Sequence, residues 1–239
     1  MRGSGFVAGA VLAPELARHF TVLMMDLRGY GDSDRPQPGE GSVAYAKREM
    51  ALDAMAVMRA QRFDTFHVLA HDRGARVAHR LAADHPQAVQ RLMLLDIAPT
   101  LSMYENTSLK FATAYWHWFF LIQPPPLPEA LIDSDPVRYL RSVMGKRHAG
   151  LSAFDPQALA EYERCARIEG TARGVCGDYR ASAGIDLDHD RADIAESLLA
   201  AARLSVSAAS SPSSASGPVI ISSATRSVWL AGSTRRRQE

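Results

Sequence analysis

The chain has 239 residues, enough to bury one hydrophobic core, and its 27 basic and 26 acidic side chains give a net charge of +1. That balance excludes the strongly basic footprint of a nucleic-acid-binding protein. The two cysteines, Cys165 and Cys176, do not suggest a disulfide framework, and no apolar run approaches the roughly 20 residues that cross a bilayer. We therefore expect a cytoplasmic protein without nucleic-acid or membrane partners.

The first part of the chain alternates short apolar runs with helical patterns. Residues 14–19 are typical of a helix end, residues 20–25 of a buried strand, and residues 26–36 of a loop rich in Gly and Asp. Apolar side chains at helical spacing predict a helix over residues 47–61.

Two further strands are predicted at residues 66–69 and 89–95, with a helix at residues 73–84 between them. Strands that read as continuous apolar runs and alternate with helices indicate a parallel sheet covered on both faces. The expected fold class is therefore α/β.

Small residues surround Asp72, where the strand at residues 66–69 gives way to the helix. Ala70 stands two positions before it, and Gly74 and Ala75 stand two and three positions after it. A sharp strand-to-helix turn needs small residues there, and it holds the apex residue outward in a strained conformation. An apex carboxylate is suited to attack on carbon through an ester intermediate. The alternative is that Asp72 only caps the helix.

Composition divides the chain into three expected segments. Residues 1–103 carry the strand and helix patterns of a core. Residues 104–191 hold an aromatic cluster, several prolines and helix-like segments without a strand signal, as in an inserted helical cap. Residues 192–239 include a stretch of Ser and Ala at 205–216 that is typical of a flexible segment, with short strand-like runs at 219–221 and 228–230.

Four segments in this order resemble the haloacetate dehalogenases, which include fluoroacetate dehalogenase, within the α/β-hydrolase superfamily. They are residues 26–36, 71–76, 95–100 and 115–121, and the resemblance extends over about 13–194. It implies a mostly parallel α/β-hydrolase-type sheet with an inserted helical cap. It also implies that Asp72 is the nucleophile, and that Asp96, after the next strand, orients a catalytic histidine.

The resemblance implies that Arg73 and Arg76 hold a substrate carboxylate, because a guanidinium fork matches two carboxylate oxygens. Their spacing of three places both on one side of the elbow helix. The alternative is two surface arginines at a helix start. The resemblance further assigns His117, Trp118 and Tyr179 to a pocket whose donors receive the departing halide. Without the resemblance, such an aromatic cluster is more typical of cap core.

The pattern breaks at both ends of the chain. No histidine follows His189, whereas the related enzymes place their general base near the C-terminus. The His-Gly-x-Pro loop, which supplies one oxyanion donor, is absent ahead of residues 13–16. We therefore expect a fold that is incomplete at both ends. A change of reading frame and a diverged or fused chain remain alternative explanations.

The expected activity is hydrolysis of a 2-haloacetate to glycolate and halide through an Asp72 ester, with impaired turnover and without a cofactor or metal. The expected partner is a small haloacid, and homodimerisation stays open. One alternative is an epoxide hydrolase, which would present two cap tyrosines instead of arginines at the elbow. Another alternative is an inactive remnant.

Overall fold

The computed structural model describes residues 8–145, 150–203, 221–222 and 227–230. The helices are α1 (Ala8–Leu16), α2 (Lys47–Ala60), α3 (Asp72–Asp84), α4 (Thr100–Glu105), α5 (Leu109–Ala114), α6 (Trp116–Leu121), α7 (Leu127–Ser134), α8 (Pro136–Met144), α9 (Pro156–Ala166), α10 (Thr171–Ala183) and α11 (Ile185–Arg203). The strands are β1 (Val22–Met25), β2 (Phe66–His71), β3 (Val89–Leu95), β4 (Ile221–Ser222) and β5 (Ser227–Leu230). Two 3-10 helices span Glu40–Tyr45 and Gly150–Ala153.

The strand that leads into the elbow, β2, lies in the middle of a parallel sheet with the order β3-β2-β4. Its last residue, His71, is in register with Leu95 at the end of β3. Parallel strands end at the same edge of a sheet, so the residues that follow them, Asp72 and Asp96, share that edge. A separate antiparallel pair joins β1 to β5. The expected α/β-hydrolase-type fold with a parallel sheet is confirmed.

The core forms where α2 and α3 pack beside this sheet. On α2, Met50, Ala54 and Met58 recur every four residues and are fully buried, as an amphipathic helix requires. In β2, Phe66 and Val68 are at most 1 % exposed. Burial of side chains of that size contributes roughly 1.5–3 kcal/mol each, so this face of the sheet anchors the elbow.

Strand β3 departs from the expectation that the sheet is covered on both faces. It is the edge strand of its sheet, and Leu92 and Met93 are 37 % and 59 % exposed. The apolar run correctly predicted a strand at Val89–Leu95. An apolar run does not distinguish a central strand from an edge strand, because both carry the same residue types.

Residues 104–191 contain helices and turns and no strand wherever the structure describes them. Helix α11 continues through the expected boundary at residue 191 as far as Arg203. The division into core, cap and C-terminal segment stays a prediction, and the Ser/Ala stretch at 205–216 lies outside the described residues. Strands β4 and β5 overlap the strand-like runs in the sequence.

The loop after β1 contacts α10 through two glycines. A Cβ atom on Gly174 would lie 2.7 Å from the Cα of Gly29, and one on Gly29 would lie 2.7 Å from the ring of Tyr45. Gly29 also has a φ of 86°, which favours glycine. This close backbone approach sets α10, which carries Asp178 and Tyr179, against the loop after β1 and the 3-10 helix Glu40–Tyr45.

Candidate active site

The elbow residue Asp72 begins α3 with a φ of 49°, and Asp96 after β3 has a φ of 51°. Positive φ is uncommon for residues other than glycine and costs about 1–3 kcal/mol, so the expected strain at the apex is present. The residue before α3 is His71, and no side chain caps the helix. Among the described residues, nothing hydrogen-bonds to the Asp72 carboxylate. Helix capping therefore does not explain Asp72.

Two adjoining cavities meet at Asp72. The larger cleft, of about 720 Å³, is bordered by Arg76, Asp96 and Trp118. The apolar chamber, of about 390 Å³, is bordered by Arg73, Tyr179 and apolar cap side chains. The residues common to both are His71, Asp72, His117, Val143, Met144 and Phe154. Every site residue expected from the sequence thus borders one or both cavities.

Arg73 is buried and already engaged. Its Nε and Nη2 donate to the two carboxylate oxygens of Asp178 at 2.7 and 2.6 Å, and Nη2 also contacts Ser182 Oγ at 2.6 Å. The guanidinium carbon lies 4.1 Å from the centre of the Tyr179 ring. Its Nη1 is buried without a partner in the described part of the chain. One nitrogen of Arg73, with its two N–H groups, therefore remains for another ligand.

Arg76 has a different environment. Its Nη1 donates to Thr100 Oγ1 at 2.9 Å and to the Ala98 carbonyl at 3.2 Å, and its guanidinium lies 4.6 Å from the Trp118 ring centre. No carboxylate pairs with it among the residues described here. Burial and the nearby charge of Arg73 lower the pKa of Arg76 to about 10, so it remains protonated at neutral pH. A buried cation that forms no ion pair can take an anionic ligand as its partner.

Three donors surround the junction of the cavities. The ring centre of Tyr179 lies 6.0 Å from that of Trp118 and 6.1 Å from that of His117. Burial raises the pKa of the Tyr179 phenol, although Arg73 partly opposes it, so the hydroxyl stays protonated. Neither Tyr179 nor the Trp118 indole donates to a described protein acceptor. Both can therefore donate to a bound group.

Sequence reasoning missed the buried charges behind Arg73. Lys47 Nζ contacts Asp178, and it also lies 3.1 Å from Asp186 Oδ2. Tyr30 Oη donates to Asp178 Oδ2 at 2.5 Å. Burial alone would raise the pKa of Asp178, but Arg73 and Lys47 outweigh burial and hold it well below its usual range. The sequence carries no signal for this network, because its members are up to 148 positions apart.

The last histidine in the sequence is His189. His189 lies in α11 with its Nδ1 buried and without a described partner. The described residues contain no cluster of three or more His, Cys, Asp or Glu side chains arranged for a metal. None of the described helices is both long enough and apolar enough to cross a membrane.

Residues 3–131 match the family model for the α/β hydrolase fold. The chain belongs to the α/β hydrolase fold family. Its curated relatives include a fluoroacetate dehalogenase from Burkholderia sp, 43 % identical over 186 residues, which cover 77 % of this chain and 61 % of the relative. Another is a soluble epoxide hydrolase from Corynebacterium sp., 34 % identical over 70 % of this chain and 57 % of the relative. The chain thus spans about three fifths of the length of these relatives.

Solved structures agree with this membership. A protein from Nostoc sp PCC 7120, assigned to the α/β hydrolases, superposes with a TM-score of 0.69 at 55 % identity, over 71 % of this chain and 58 % of that one. A protein from Burkholderia cenocepacia superposes with a TM-score of 0.59 at 30 % identity, over 72 % and 57 %. The α/β-hydrolase family member resembles the haloacetate dehalogenases, as the sequence motifs indicated.

Proposed function

We propose that this α/β hydrolase removes halide from 2-haloacetates through an ester on Asp72. The observation that carries the proposal is the position of Arg76, a buried cation that forms no ion pair with a described residue, on the same cleft as the Asp72 carboxylate, whose charge partly offsets the burial of Arg76. A small carboxylic acid bound to Arg76 would place its C2 atom near the nucleophile. Orientation of this kind contributes a large part of a bimolecular barrier.

In the first step an Asp72 carboxylate oxygen bonds to C2, the carbon–halogen bond breaks, and its electron pair leaves with the halide. The substrate carboxylate is held by Arg76 and by the remaining nitrogen of Arg73. Trp118, Tyr179 and His117 surround the place where negative charge develops on the halide, and donors aimed at developing charge stabilise the transition state.

In the second step water attacks the ester carbonyl, gives its proton to a base and releases glycolate. Asp96 shares the sheet edge with Asp72 and would orient that base. Residues 190–239 contain no histidine to fill this role. We therefore propose that the first step outpaces the second in this chain.

Mass spectrometry after incubation with chloroacetate tests the proposal. The expected adduct is a carboxymethyl ester, located by digestion on the peptide that contains Asp72. Asp72→Asn should not form it. A stable adduct on Cys165 alone, retained in Asp72→Asn, would show simple alkylation and refute the assignment.

An epoxide hydrolase is the second candidate, because a relative and several solved structures carry that name. Tyr139 and Tyr179 both border the apolar chamber and could donate to an epoxide oxygen. The charge of Arg76 favours an anionic substrate instead. Incubation with styrene oxide distinguishes the two activities. An Asp72 adduct from the epoxide, with none from chloroacetate, would favour the epoxide hydrolase over the dehalogenase. An inactive remnant would form neither.

A further inference from the structure

We propose that Asp178 is a positioning residue that fixes the Arg73 guanidinium so that Nη1 is presented to the substrate carboxylate. This inference rests on the proposed function. Asp178 is fully buried, and its carboxylate accepts both Nε and Nη2 of Arg73. A two-point fork of this kind fixes the plane of the guanidinium as well as its position.

The fork leaves a single nitrogen for the substrate. Ser182 Oγ accepts a further hydrogen bond from Nη2, and the Tyr179 ring centre lies 4.1 Å from the guanidinium carbon and covers one of its faces. Nη1 alone has no partner among the described residues, although Arg73 borders the apolar chamber beside Asp72. A buried donor without a partner is unfavourable, and a carboxylate oxygen of the substrate would satisfy it.

Asp178 also provides Arg73 with a counter-ion other than the nucleophile. Arg73 directly follows Asp72, and a fork that was not engaged by Asp178 could pair with the Asp72 carboxylate and weaken its attack. Asp178 is held in turn by Tyr30 and Lys47, and Lys47 is held by Asp186. Two cations and two anions, each at most 5 % exposed in its side chain, thus balance one another.

Two double variants of the full chain remove the same number of charges from this network. Lys47→Met with Asp178→Asn separates Arg73 from its partner. Lys47→Met with Asp186→Asn leaves the Arg73–Asp178 fork in place and is the matched control. Both keep one cation and one anion, so a general loss of charge balance affects them alike. Their melting temperatures are compared before binding is measured.

The readouts are the Kd of glycolate by calorimetry and the chloroacetate dependence of the first-turnover halide release. We expect the Asp178 double variant to bind glycolate at least about tenfold more weakly than the Asp186 double variant, the equivalent of one charge-assisted hydrogen bond. The half-saturating chloroacetate concentration should rise in the same ratio. A merely structural role would lower the yield of active protein without moving that concentration.

Equal Kd values in the two double variants would overturn the inference. Should the Asp178 double variant not fold, Ser182→Ala replaces it, since it removes one contact of Arg73 without changing a charge. That variant should weaken glycolate binding about two- to fivefold, a smaller effect because Asp178 still holds Nε and Nη2 of Arg73, and an unchanged Kd would refute the inference. If the unaltered chain binds no glycolate, the proposed function itself fails.

Discussion

At the scale of single residues, Arg73 and Arg76 lie one helical turn apart but have different charge environments. Arg73 is neutralised by Asp178, whereas Arg76 has no described counter-ion and lies against Trp118. The spacing of the two was visible in the sequence, but their partners were not. The contacts of Arg73 come from α10, whereas those of Arg76 come from Ala98, from Thr100 at the start of α4 and from Trp118 in α6. All of them are distant along the chain from the two arginines.

Replacing Arg76 by Lys should weaken glycolate binding, because an ammonium cannot replace the fork of a guanidinium. The expected loss is roughly 1.5–3 kcal/mol, the value of a charged hydrogen bond. Calorimetry at neutral pH measures it. Arg80→Lys, one turn further along α3 and paired with Asp193, is the control and should bind as the unaltered chain does. Equal binding by the Arg76 variant would place the anion elsewhere.

Asp178 should also make the free energy of unfolding depend on pH. Its folded pKa is depressed, so its contribution is complete above the unfolded-state value of about 3.9 and is lost as pH falls towards the folded value. Urea unfolding of the chain between pH 7 and pH 2 should therefore show a fall in the unfolding free energy below about pH 4. The Asp178 double variant should show a smaller fall, and parallel curves would contradict the assignment.

At the scale of elements, the contact between Gly29 and Gly174 fixes how closely α10 lies against the loop after β1. The Ala70, Gly74 and Ala75 pattern was sufficient to predict the elbow, since that turn is local. No local pattern could predict that two glycines 145 positions apart meet, one in a loop and one in a helix. Glycines also occur in loops and helices at positions where no other backbone comes close. The residues of α10 at the site could be named only through the family resemblance.

Gly174→Ala should therefore destabilise the protein and disturb the site together. The new Cβ atom would lie 2.7 Å from backbone at Gly29, where no flexible side chain can yield. Overpacking of this kind costs about 1–3 kcal/mol. Urea unfolding and glycolate calorimetry measure the two effects. A variant as stable as the unaltered chain would show that the loop moves aside at little cost.

At the scale of the whole molecule, we expect each chain to form the Asp72 ester once and then to hydrolyse it very slowly. A positioned general base contributes ~10²–10⁴-fold, and residues 190–239 contain no histidine that could act as one in the proposed second step. Halide release from excess chloroacetate should therefore halt near one equivalent per chain. A time course at micromolar protein checks this, and sustained linear release would reveal another base.

Strand β4 has a consequence for how the polypeptide is made. Its Ile221 lies in register with Leu69 of β2, 152 positions earlier (221 − 69), just before the elbow. A ribosome releases the N-terminal part of a chain first, and contacts of such long separation form slowly. The pairing of β2 with β4 can therefore form only after Ile221 has been synthesised, whereas the elbow turn that follows β2 depends on local residues and can form earlier.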